Sequence, residues 1–155
     1  MRFELLFLGK TKEEYLARGI ADFSGRLKRY VDLSIRTLKS GQDSDRDDDA
    51  IRRAEGQLLL ARLAPNSRLV ALDPNGRALT SPGLAGLLTG WENEGAGLIT
   101  FVLGGPLGLA PEVLERADLT ISLSPLTFTH EMARLILLEQ LYRAWTIKAG
   151  TGYHK

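Results

Sequence analysis

An α/β fold, a mainly parallel sheet flanked by helices in one domain over residues 1–155, is what this sequence predicts. Three observations predict it. Short apolar runs alternate with segments of helical spacing along the whole chain. Apolar residues make up 44% of the chain and charged residues 25%, a balance that supports a real core at this length. Three strand-like runs end in loops that each carry glycine, proline or both, at the end of the strands where an open sheet binds ligand.

The elements follow in order. Phe3 to Leu8 reads as a strand. Glu13 to Val31 reads as a helix, with Leu16, Ile20, Phe23, Leu27 and Val31 on one face. Ser34 to Leu38 alternates like a strand. The acidic run Asp43 to Asp49 leads into a helix from Ala50 to Leu63, where carboxylates suit the positive end of the dipole. Arg68 to Asp73 is a strand ending in the turn Pro74-Asn75-Gly76. Ser81-Pro82 starts a helix to about Trp91, with Ser81 as its cap. Leu98 to Leu103 is a strand, Pro111 to Ala117 a short helix and Leu119 to Leu123 a strand. Thr129 to Ala149 is a long helix, followed by the tail Gly150-Thr151-Gly152-Tyr153-His154-Lys155.

Composition excludes several classes. No apolar run approaches the roughly 20 residues of a membrane helix, and the charged start is a poor signal peptide. The chain has no cysteine, hence no disulfide, thiolate nucleophile or cysteine metal site, which fits a cytoplasmic protein. Two histidines are too few for a histidine-rich metal centre. A net charge of +1 does not announce a nucleic-acid binder, so any RNA contact must come from local patches.

The loops Leu72 to Gly76, Gly104 to Gly108 and Leu123 to Phe128 carry the chemistry. Glycine lets backbone approach a ligand and proline stiffens the approach. Leu72, Leu103, Leu126 and Phe128 offer an apolar slot for a flat ring. The glycines spell neither the dinucleotide fingerprint nor a phosphate-binding P-loop, and no G-x-S-x-G elbow is present. A ligand with an adenine-like ring and no polyphosphate is left among the candidates, and spacing goes no further.

"FVLGGPLGL", "LSPLTFTHEMAR", "LLEQLYRAW" and the terminal "YHK" together resemble the small SPOUT-class methyltransferases of large-subunit ribosomal RNA, in particular the pseudouridine N3-methyltransferase family. The resemblance spans essentially the whole chain. It implies a homodimer, a C-terminal trefoil knot, S-adenosylmethionine as cofactor and methylation of N3 of a pseudouridine in 23S rRNA, on assembled particles. It implies cofactor contacts at Leu72, Gly104, Leu123, Ser124, Pro125, Leu126, Thr127 and Phe128, the same three loops. Two departures stand out. Leu107 occupies a position that is often acidic in the family, and Gly150-Thr151-Gly152 replaces the usual Asn and Pro before Tyr-His.

Methyl transfer from a sulfonium is an in-line displacement, so the protein mainly positions its partners. The N3 of pseudouridine must also lose its proton. With the resemblance, His154 is the candidate base because its tail could close over the site, and Tyr153 beside it is the second candidate. His130 reads equally as a structural group at a helix start. Arg18, Arg26 and Arg29 on the first helix, with Arg134 and Arg143 on the last, are the candidate RNA contacts. Lys10, Lys12, Lys148 and Lys155 add charge nearby. The last helix is apolar around much of its circumference, which implies a central core position or a second subunit. The alternatives are a SPOUT enzyme for another RNA position, a non-catalytic ribosome-binding factor and a nucleotide-binding regulatory module.

Overall fold

Strand and helix alternate five times in a computed structural model that describes residues 1–41 and 45–155. β1 (Arg2–Leu8) is buried at every position after Arg2, as a central strand covered on both faces must be. α1 (Glu14–Leu27) buries Leu16 and Leu27. It stops short of Val31 because the chain turns after Lys28, with the Tyr30 and Val31 amides both donating to the Leu27 carbonyl. Val31 still reaches the core, so its periodicity reads on past the end of the helix. β2 (Asp32–Leu38) follows.

α2 (Asp48–Leu60) starts at a capping Asp47, whose side chain accepts from the Ala50 amide at 2.7 Å. The acidic run therefore does cap a helix, although Asp43 and Ser44 lie outside the described residues. β3 (Arg68–Ala78) corrects one expectation. Pro74-Asn75-Gly76 is an interruption inside a strand, and pairing with the last strand resumes at Arg77. A Cβ on Gly76 would sit 2.6 Å from the backbone carbon of Ile121, so only glycine lets the two strands approach here.

α3 (Ser81–Asn93) is capped by Thr80, not Ser81. The Thr80 hydroxyl accepts from the Gly83 amide at 3.0 Å, while the Ser81 hydroxyl donates to Gln140 Oε1 at 2.7 Å. β4 (Leu98–Leu103), α4 (Pro111–Arg116) and β5 (Leu119–Ser122) come next. α5 (His130–Lys148) is capped by Thr129 and is followed by Gly150 at a positive φ of 66°.

The sheet is parallel throughout, in the order β2-β1-β4-β3-β5. Phe3, Leu5 and Phe7 point to one face, where they meet Leu27 of α1, Leu88 of α3 and Leu137 and Leu141 of α5. Leu6 and Leu8 point to the other, against Leu59 of α2 and Val113 of α4. Two helical layers thus enclose the sheet. α5 packs on both α1 and α3. Leu137, Leu138 and Leu141 are fully buried there, each contributing roughly 1.5–3 kcal/mol. Met132, Leu135, Ile136, Tyr142 and Trp145 on the same helix are only partly buried. Among the described residues no helix is long and apolar enough to cross a membrane.

Candidate active site

The carboxyl ends of β3, β4 and β5 open into a cleft of about 880 Å³, with the start of α1 as a further wall. Each strand end is shaped locally. After β5 the Ser124 hydroxyl accepts from the Leu126 amide at 2.9 Å, and the Ser122 hydroxyl donates to the Ser124 carbonyl at 3.0 Å. Within β3, Asp73 Oδ1 accepts from the Asn75 amide at 2.9 Å. After β4 the loop folds back on itself. The Gly108 amide donates to the Gly105 carbonyl at 3.0 Å, and Gly108 takes a φ of +77°. A Cβ on Gly104 would lie 2.5 Å from the Gly108 carbonyl carbon. The loop's own fold therefore forbids a side chain at 104, whatever the ligand.

Of the residues expected to hold a cofactor, Leu72, Gly104, Leu123, Ser124, Leu126, Thr127 and Phe128 line the cleft. Pro125 is exposed and is not among the lining residues. Leu107 is half-buried and is also absent from the lining, so the departure there leaves the cleft walls untouched. A second groove, of about 940 Å³, lies at the amino ends of the strands around Arg2, Asp32 and Arg68. Its walls include Pro65, Gly95 and Gly97 from the loops that enter β3 and β4, at the end of the sheet opposite the three strand-end loops.

Sequence reasoning missed the wall made by the β1–α1 loop: Glu13, Tyr15 and Leu16 line the cleft, as do His130 and Glu131. The β1 end belongs to the site because β1 pairs with β4, and that strand order is not written in local sequence. Glycine after a strand, here Gly9 at φ +75°, was the available signal.

Two buried side chains of α5 hold this loop. Glu131 Oε1 accepts from the Lys12 amide and from the Glu13 amide at 3.1 Å. Arg134 donates to Thr11 Oγ1 at 2.9 Å and to the Leu8 carbonyl, and its guanidinium lies 4.9 Å from the Phe7 ring centre. Arg134 is 0% exposed, which corrects its assignment as an RNA contact. Burial lowers its pKa from the ordinary arginine value. Replacing Arg134 with methionine should destabilise the chain by about 3 kcal/mol in urea unfolding, since charged hydrogen bonds are lost and the Leu8 carbonyl is left buried. Lysine should not restore the loss, because it lacks the planar fork.

The other arginines divide. Arg18 is exposed and 3.9 Å from Glu14. Arg26 pairs with Asp22 at 3.0 Å and stands over the Phe23 ring at 5.2 Å, so its guanidinium is engaged. Arg29 is exposed but lies past the end of α1, so it does not share that helix's face. Arg143 is held by Glu139 and lies 4.7 Å from the Tyr153 ring centre.

The tail folds back onto α5. Tyr153 donates to Glu139 Oε1 at 3.0 Å and meets the Tyr142 ring edge-on at 4.8 Å. Burial, then its bond to Glu139, raises the Tyr153 phenol above its ordinary pKa, so it stays protonated and is a poor base. Glu139 lies nine residues beyond His130, about 14 Å along α5. Neither Tyr153 nor His154 lines the cleft of its own chain. His130 does, and burial, then the positive charge of Arg134, lowers its pKa below the usual histidine value.

The lining has a charge signature. It contains Glu13, Asp73, Glu131 and His130 but no lysine or arginine. A polyphosphate would find no counter-charge in these walls. A cationic ligand with a flat apolar ring would find carboxylates and the leucines of the slot.

Comparison with known proteins finds relatives along the whole chain. The family described as "Predicted SPOUT methyltransferase" matches residues 1–154. A protein of Desulfotalea psychrophila named "Ribosomal RNA large subunit methyltransferase H" is 46% identical over 155 residues, covering all of both chains. Proteins of the same name from Syntrophotalea carbinolica and Clostridium novyi are 44% and 42% identical, over 99% and 100% of each chain.

Proposed function

The chain belongs to the SPOUT methyltransferase family, and on that premise we propose that it methylates N3 of a pseudouridine in 23S rRNA of the large ribosomal subunit, using S-adenosylmethionine. The charge signature of the cleft is the observation that carries this reading. The cofactor is a sulfonium with an adenine ring and no phosphate, and it fits walls that offer leucines and carboxylates but no lysine or arginine. When bound, it supplies an activated methyl group for in-line attack by N3.

The residues present divide the work. Leu72, Leu103, Leu126 and Phe128 pack the adenine, and Gly104 admits the loop backbone beside it. Glu131 and Arg134 fix the opposing wall, which keeps nucleophile and methyl aligned. His154 takes the N3 proton. In its own chain it lies outside the cleft, so we assign this role to the partner subunit's His154 in a C2 homodimer. Where the two-fold axis crosses α5 at a right angle, the paired helices run antiparallel and the root of one tail lies beside the first turn of the other. The C-terminal knot belongs to the same reading.

The test is methyl transfer from labelled S-adenosylmethionine to ribosomes from cells lacking the modification, with the labelled nucleoside identified by mass spectrometry. Label on N3 of pseudouridine is expected, from a protein that sediments as a dimer at micromolar concentration. Label on another nucleoside would move the enzyme to a different RNA position. No label and no cofactor binding in calorimetry would favour a ribosome-binding factor.

A further inference from the structure

Among the described residues two large apolar side chains stand exposed, Tyr15 at 57% and Leu126 at 73%. Single exposed apolar residues are ordinary. These two come from distant parts of the chain and both stand on the lining of the same cleft. Leu126 belongs to the slot for the cofactor. Tyr15 has no such assignment. It sits in the first turn of α1, no other ring packs on it, and its hydroxyl makes no hydrogen bond among the described residues.

The backbone that carries Tyr15 is held from below. Glu131 takes the Lys12 and Glu13 amides, and Arg134 takes the Leu8 carbonyl and the Thr11 hydroxyl. Both clamping side chains are buried, so the loop is presented in a fixed place. Lys10 and Lys12 are exposed on the same loop, with no carboxylate within ion-pair distance among the described residues. A rigid edge that pairs free cations with a bare aromatic face is the chemistry of a single-stranded nucleic-acid contact.

We propose that Tyr15 is the stacking platform for the target base, and that Lys10 and Lys12 grip the phosphates beside it. This rests on the methyltransferase reading and names the part of that site that takes the RNA. A base that must turn its N3 edge toward the cleft has to leave its stack in the RNA, and it needs a new π-face when it does. Tyr15 supplies that face at the mouth of the cleft. The carboxylates inside repel phosphate, while the two lysines outside attract it, so the base enters and the backbone stays at the rim.

The experiment compares wild type, Tyr15→Ala and Tyr15→Phe by single-turnover methyl transfer to unmodified ribosomes, with calorimetry for cofactor affinity and sedimentation for assembly. Tyr15→Ala is expected to lower kcat/KM by about tenfold or more, with cofactor affinity and assembly unchanged. Tyr15→Phe keeps the ring and should restore transfer to within about twofold. Wild-type rates in Tyr15→Ala would overturn the assignment while leaving the methyltransferase reading intact. Loss of cofactor binding or of assembly in Tyr15→Ala would also overturn it, making Tyr15 a wall or interface residue. A wild-type protein that transfers no methyl group would remove the reading on which the proposal stands.

Discussion

Replacing Gly104 with valine is expected to weaken S-adenosylmethionine binding by at least about 100-fold, or ~3 kcal/mol. The reason lies in the β4–α4 loop. The position a Cβ would occupy is 2.5 Å from the Gly108 carbonyl carbon and 2.8 Å from its oxygen. Backbone cannot swing aside as a side chain does, so the whole turn from Gly105 to Gly108 must open. That turn is part of the cleft wall, and its displacement spoils the surface on which the cofactor lies. The sheet should survive, because Leu103 ends β4 before the change and the core residues do not move. Calorimetry reads the loss, and circular dichroism checks the fold. Gly86→Ala, on an exposed position of α3 with nothing within 4 Å, is the control for glycine replacement and should bind normally. An unchanged affinity in Gly104→Val would mean that the ligand does not need this loop.

Much of the fold and part of the site were legible in the sequence, and the division has a physical cause. Features set by near neighbours could be read. Apolar runs, helical spacing and the start signals at Ser81-Pro82 and Pro111 located the ten elements, and glycine with proline after β4, and proline after β5, marked the loops because both residues act on their own dihedral angles. Features set by distant chain could not. Pro74-Asn75-Gly76 is turn-like locally, yet β3 resumes after it because Arg77 and Ala78 find Ile121 and Ser122 across the gap. Ser81 and Thr80 are both good caps, and the choice fell to Thr80 once Ser81 had Gln140 to bond. Arg134 looks like a surface cation in any helical projection. It is buried because the Leu8 carbonyl and the Thr11 hydroxyl, more than a hundred residues away, meet it in the core. The same long reach hid the β1–α1 wall and Tyr15 from sequence reasoning.

His154→Ala is expected to lower turnover by about 100-fold or more while leaving cofactor affinity unchanged, the size of effect typical of a lost general base. The structure turns this into a sharper prediction about which subunit supplies the histidine. In its own chain the tail is tied to the middle of α5 by Tyr153, through Glu139 and the Tyr142 ring, and it leaves the cleft to His130 and the strand-end loops. If the partner's tail serves each cleft, two dead variants should rescue each other. Gly104→Val has a spoiled cofactor cleft but an intact tail, and His154→Ala has the reverse. Mixed dimers of the two contain one intact cleft facing one intact tail only if the tail acts across the interface. Unfolding and refolding the two together should then yield activity approaching a quarter of the wild-type level, from half of the dimers with one working site each. A mixture as inactive as its parents would confine His154 to its own chain and require the Tyr153 tether to release. Full turnover by His154→Ala alone would remove it as the base. His130 would then be the group to replace, since it lines the cleft and its lowered pKa favours the neutral, proton-accepting form near pH 7.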